Sequence, residues 1–419
     1  MRDRWLNGRR HRFVRRAALI VAVLSVAVIT APATLAGAAK RVAPPPTIVS
    51  ASTTAAVTLP APGLVVVQSV ALSKGTWTLL AKATAIDTGS PDFFRCNLVD
   101  ITHSTTLDGA TAFLNTGIPL DVITNLAVIT AKGTVTISQE CGHDSDAGDS
   151  GSIDSGASLV GFASQRSRVR IARSATQVNL APSPIGIENL SLTKGTWVIA
   201  AKVTLVALSV GHAAGQCSYD PDQFERLLGT NSGDHAASTM FKVGATVTLT
   251  ATTTFTLSCA ATGGIYVDPG AVFWAWKANH LATADASQCP VTLAAAATTD
   301  ALVLHQRNCA IGPGSFPSQM VGAHLRAGAW VGFSGMDNLD SQGTNVVRCQ
   351  VLDAIHGKQL DVSSTAESPI ANFVQPFTGI TNLAIVDVKK SLDVEGRCGE
   401  DNAGPAAASD DSAWAFIKP

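Results

Sequence analysis

The chain has 419 residues, with 30 Lys and Arg against 31 Asp and Glu, eight Cys, and 46% hydrophobic but only 5% aromatic residues. A balance this close to neutral, with no basic stripe, gives nucleic acid little to gain from phosphate neutralisation. The length exceeds what one ordinary core supports, so two or three domains are expected, and abundant Ala, Val, Thr, Gly and Ser with scarce Lys and Glu favour sheets over helices.

The first residues, "MRDRWLNGRRHRFVRR", carry seven Arg and one Asp, and no charge follows between Arg16 and Lys40. A basic segment, an apolar segment and the small residues Ala36-Gly37-Ala38 have the layout of an export signal over residues 1–38. Left uncleaved, the same segment is nearly long enough to span a bilayer and would be the membrane contact of the chain. Its removal takes seven Arg and Asp3, leaving 23 basic against 30 acidic residues, a formal charge of −7. Residues 39–55 read as a linker.

Next comes "LSKGTWTLLAKAT" from Leu72, a phrase written again as "LTKGTWVIAAKVT" from Leu192 and, in a worn form, as "LRAGAWVGFSG" from Leu325. Further matches keep step with it. Trp77, Trp197 and Trp330 are followed 19, 20 and 19 residues later by Cys96, Cys217 and Cys349, and the closing Cys141, Cys259 and Cys398 lie 45, 42 and 49 residues beyond those. Copies one and three also share "ITNLAVI" and "ITNLAIV", "RCNLVD" and "RCQVLD", and "CGHD" and "CGED". Offsets matched this often imply a domain copied three times, over residues 56–165, 166–279 and 280–419, each large enough to bury its own core.

Within a copy the apolar residues alternate. Trp77, Leu79, Ala81 and Ala83 face one way and Thr78, Lys82 and Thr84 the other, and "VTLTATTTFTLSC" (247–259) reads as one strand with a dry and a wet face. The Gly of Lys-Gly-x-Trp makes the turn into its strand. The Trp anchors a sandwich interior, the alternative being a carbohydrate platform with Trp77 and Trp197 toward solvent. Short strands between Gly, Pro, Asn and Asp point to an all-β fold of three tandem antiparallel β-sandwiches. One helix is expected at "DPDQFERLLG" (220–229), with Asp220 as its cap and Gly229 as its stop.

Eight cysteines in an exported chain imply disulfides: Cys96 with Cys141, Cys217 with Cys259 and Cys349 with Cys398, while Cys289 and Cys309 staple an entry segment ahead of copy three. Zinc is disfavoured because no Cys-x-x-Cys or clustered His accompanies them.

Chemistry has few footholds. "GDSG" (148–151) resembles the nucleophile loop of chymotrypsin-type serine proteases, which would enlist His103, Asp121 and Ser150, but the likeness ends after four residues. The same loop offers Asp144, Asp146 and Asp149 to a hard cation such as calcium, although such polar Gly, Ser and Asp clusters are usually solvated turns and the order does not fit an EF-hand. Asp100 and Asp353 match between copies and suit a turn. Aromatics gather in copy two, where Tyr219, Tyr266, Trp274 and Trp276 would make a ligand surface if the two Trp of "VFWAWKA" face outward. No cofactor fingerprint is present.

The whole pattern resembles uncharacterised secreted β-sandwich repeat proteins of high-GC bacteria and, in strand rhythm, jelly-roll modules of the C1q and tumour-necrosis-factor type. The first resemblance brings no activity, and the second implies compact sandwiches that often form trimers, here a homo-oligomer. The expected protein is a non-catalytic binding or structural module of the cell surface or extracellular space, its partner a glycan, an envelope component or a protein. The competing reading is a secreted serine hydrolase using the loop of copy one.

Overall fold

The computed structural model describes residues 47–419 except 61, 88, 90, 115–119, 145–150, 208–211, 220–221, 230–235, 288, 315, 317, 340–344, 368–376 and 402–406, with the side chains of some further strand residues also left aside. The segment read as an export signal and residues 39–46 of the expected linker lie outside these residues, and the rest of that linker is not a plain connection, since it contributes a strand at Ile48–Ser52. Residues 45–419 form one compact unit, built from strands, with no helix among the described residues.

The first sandwich comprises β1 (Ile48–Ser52), β2 (Val57–Leu59), β3 (Val65–Leu72), β4 (Gly75–Asp87), β5 (Asp92–Asp100), β6 (Thr105–Leu114), β7 (Leu120–Ala131), β8 (Val135–His143), β9 (Gly151–Ile153) and β10 (Ser158–Ser164). Its inner sheet runs β1-β10-β4-β9-β2 with β7 on the far edge of β4, and its outer sheet runs β3-β8-β5-β6. The second comprises β11 (Val169–Arg173), β12 (Val178–Asn179), β13 (Ile185–Leu192), β14 (Gly195–Ala207), β15 (His212–Tyr219), β16 (Asp222–Gly229), β17 (Ala236–Leu249), β18 (Thr253–Ala261), β19 (Ile265–Val267) and β20 (Val272–Ala278). Shifted by ten elements, its strand order is the same.

The third has β21 (Leu281–Ala286), β22 (Val291–Ala294), β23 (Ala301–Ile311), β24 (Ser318–Leu339), β25 (Asn345–Asp353), β26 (Lys358–Glu367), β27 (Phe377–Glu400) and β28 (Ala407–Ile417). Here β24 and β27 run on through both sheets, with irregularities at Gln319/Val321 and Arg326/Gly328 where they turn the corner. β21 and β22 are additions that lie parallel to β23 and β24.

Local chemistry explains the thrice-written phrase. Gly195 and Gly328 hold φ +138°, a region that side chains rarely adopt, and a Cβ there would strike Lys277 or Lys418. Each of these lysines lies across its glycine and donates to the carbonyl before it, Lys277 to Lys194 at 2.7 Å and Lys418 to Ala327 at 2.6 Å. Two residues on, the indole of each Trp is buried and donates to a carbonyl four residues back: Trp77 to Ser73, Trp197 to Thr193 and Trp330 to Arg326, all within 2.9 Å. Tryptophan thus fills the interior and satisfies its one polar atom by closing the turn.

The four expected disulfides are all present, Cys96–Cys141, Cys217–Cys259, Cys289–Cys309 and Cys349–Cys398. Three of them join residues directly opposite each other on outer-sheet strands.

Three local expectations fail. The segment expected as a helix is strand β16, paired along its length with β15, because the edge of the outer sheet offers backbone partners that outweigh local helix propensity. The run 247–259 is two strands, with residues 250–252 turning between β17 and β18. Nor is the second face of β4 wet: from Trp77 to Ala85 every residue is buried.

That face meets the other sandwiches. Leu80, Leu126, Val160 and Phe162 of the first, Val198, Val243, Trp274 and Trp276 of the second, and Val331, Phe333, Leu383 and Ile417 of the third belong to one apolar cluster. Phe333 packs edge-on to Trp274 at 6.0 Å and against Phe241 at 6.3 Å, both across a seam. Inner sheets buried on both faces must carry apolar residues on both, and "WVIAAKVTLVA" of β14 does so.

Candidate functional site

Polar residues buried between the sandwiches form the most developed constellation in the molecule. Lys202, on the inner face of β14, is fully buried and donates to both carboxylate oxygens of Asp108 on β6, at 2.7 and 2.8 Å, and to Gly109 O at 2.8 Å. Asp108 also accepts from Leu126 N at 3.0 Å and from Asn125 Nδ2 at 3.3 Å, and Asn125 reaches Cys96 O. Lys82, at the same place on β4, pairs with Asp361 of β26 at 2.7 Å and donates to Ser363 Oγ and to Val362 O. Asp361 accepts from Leu383 N at 2.8 Å, and Asn382, with its amide turned to suit its neighbours, donates to Cys349 O and Asp361.

Burial pushes both lysines below the ordinary lysine range, an effect the facing aspartates oppose. It also pushes Asp361 up to about 6 against the pull of Lys82. Asp154 and Asp268, on matching loops before β10 and β20, add negative field at Lys82 and Lys202 respectively.

The third seam differs. Gly335 stands where Lys82 and Lys202 stand, and a Cβ there would come within 2.2 Å of Phe241 O on β17. Lys242 takes the register place of Asn125 and Asn382 opposite the central strand, while Asp222 lies opposite Tyr219 as Asp108 lies opposite Leu98 and Asp361 opposite Val351. On this seam the lysine sits in the same sandwich as the aspartate position. Asp108 and Asp361 lie at the same offset after Cys96 and Cys349, the shared "ITN" places the two asparagines, and Asp222 follows its own Cys217 more closely. Those signals were legible in the sequence, but their partnership was not.

The residues nominated for a ligand are dispersed. Trp274 and Trp276 are each 1% exposed within the shared core, so they make no surface. Tyr219 is buried on the opposite side of the same sheet against Phe273, with its hydroxyl donating to Lys242 O at 3.4 Å, and Tyr266 on β19 is half-buried. Asp144 is exposed and ion-paired with Arg95 at 3.0 Å, whereas Asp146, Asp149 and Ser150 lie outside the described residues. Asp121 is buried and accepts from Ser238 Oγ of the second sandwich at 2.7 Å. His103 caps a hairpin turn: Asp100 accepts from its backbone N at 3.2 Å and contacts its ring Nδ1 at 2.7 Å. Asp353 and His356 repeat that turn. Burial alone would raise Asp353, but the hydrogen bonds from His356 outweigh it and hold the carboxyl below its usual range. Buried His143 contacts Asp92 at 2.7 Å and Leu59 O at 3.3 Å and stacks on Phe94. Among the described residues no three His, Cys, Asp or Glu side chains gather to hold a metal.

Several open grooves remain among the described residues. One of about 400 Å³ runs beside β22 on the third sandwich, between Leu293, Ala323 and exposed Ile355, with the His324–Asp393 pair at 2.6 Å along its edge. Strand β22 is peculiar to this sandwich, so the groove is too. Another lies between the first and second sandwiches.

No protein-family model and no curated protein matches the chain. Similar solved structures include that of the Sulfolobus turreted icosahedral virus (11% identity, 84% of this chain and 83% of that one, TM-score 0.17). Another is the triple jelly roll of an archaeal virus turret (10%, 84% and 82%, TM-score 0.18). A third is the tandem CBM22-1–CBM22-2 domain of Paenibacillus barcinonensis Xyn10C (10%, 56% and 98%, TM-score 0.18). At such identities and scores they bear on neither ligand nor activity.

Proposed function

We propose that the chain is exported and works as a rigid binding or structural module, not as an enzyme. The shared core carries this reading: three sandwiches are held as one body by an apolar interior and buried cross-seam ion pairs. Side chains that could do chemistry, Asp121 and His143 among them, serve packing and seam contacts instead. Four disulfides fit an oxidising compartment. The partner is a glycan or an envelope polymer met at an outer groove, since Trp274 and Trp276 of the second sandwich face inward.

The whole exported chain should be probed on a glycan and cell-envelope array, because an isolated sandwich would expose its share of the core. Specific retention without esterase or peptidase turnover supports the module. Turnover abolished by Ser150→Ala would contradict it.

A further inference from the structure

The groove between the first two sandwiches lies between β7, the edge of one inner sheet, and β11, the edge of the next. Its volume is about 690 Å³, its floor is apolar at Val128, and its rim carries Thr76, Thr130, Arg166, Ser167 and Arg170. Among the described residues no carboxylate lines it. Elsewhere Arg95, Arg168, Arg173, Arg348 and Arg397 each reach an Asp or Glu. Arg166 and Arg170 form no ion pair among the described residues. Arg166 is exposed, and half-buried Arg170 donates from one terminal nitrogen to the carbonyls of Arg166 and Val169. Beside them Thr76 and Thr130 share a hydrogen bond at 3.2 Å, leaving further donor and acceptor capacity toward the groove.

We infer that this groove binds an acidic glycan, with Arg166 and Arg170 holding the carboxylate or sulfate of one sugar and the Thr and Ser hydroxyls meeting its ring hydroxyls. A guanidinium matches a planar or tetrahedral oxyanion through paired N–H donors. Two guanidinium groups without an ion pair among the described residues, on an otherwise acidic chain, select an anion locally. The inference deepens the binding half of the proposed function and rests on it.

The test is titration of the whole exported chain with polygalacturonate, dextran sulfate, neutral dextran and inorganic sulfate. Expected is salt-sensitive binding to an acidic polymer, none to neutral dextran, and a loss of tenfold or more in Arg166→Gln/Arg170→Gln. Thr130→Val should lose a few-fold, and Arg397→Gln, with an ion-paired arginine elsewhere, should bind as the parent does. Circular dichroism and the thermal midpoint establish that the variants are folded. Equal binding by the double variant, no binding of either acidic polymer, or inorganic sulfate binding as tightly as the polymer would each overturn the inference. Retention of a neutral envelope polymer untouched by these variants would sink it while leaving the module reading standing.

Discussion

Two of the three seams are clasped by a lysine reaching from one sandwich to an aspartate of the next, and the third is closed by a glycine against a backbone carbonyl. The contrast shows what the clasp is for. Buried ion pairs recover little net energy once their desolvation is counted, but they penalise wrong partners heavily. With Lys82 matched to Asp361 and Lys202 to Asp108, the first sandwich meets the third and the second meets the first, and a ring of three then has no freedom left at its last contact. That contact can use bare shape, with Gly335 admitting β17 and the cation moved to position 242 on the other side of the seam.

Breaking a clasp should cost most. Lys202→Ala strands a buried carboxylate, so urea unfolding should show a loss of about 3–5 kcal/mol, whereas Lys202→Met with Asp108→Asn, which removes the charge and keeps an acceptor for Leu126 N, should recover part of it. Gly335→Ala tests the glycine seam: forcing a methyl against Phe241 O should cost about 1–3 kcal/mol. Gly133→Ala, where a Cβ meets nothing within 4 Å, should stay within about 0.5 kcal/mol of the parent. The smallest effect concerns a turn remote from any seam. Because Asp353 is held below the ordinary 3.8, its stabilisation is present above that pH and fades as pH falls through the lower folded value. Thermal midpoints should therefore converge between parent and Asp353→Asn in strong acid and separate above pH 3.8.

Much of the single sandwich was legible in the sequence. Trp-to-Cys offsets locate paired outer strands, and an even cysteine count with one pair per copy leads to the disulfides now seen. What stayed hidden is the second face of the inner sheet. Thr78, Lys82 and Thr84 look like a solvent face, and Leu80 between them, with Val198 and Phe333 near the same place in the other copies, was the signal that it is not. The same oversight turned Trp274 and Trp276 outward. Alternation reports that two faces differ but not that water covers one of them. The segment 220–229 misleads for another reason, since its capping signals are local while the sheet edge that claims it is not.

The central claim is that the three sandwiches share one interior, and small-angle scattering of residues 45–419 tests it most directly. A single compact body of this length should give a radius of gyration of about 21 Å. Three independent sandwiches strung in a row would give about 30 Å or more, from roughly 14 Å for each one and the spacing between them, and that value would contradict the account.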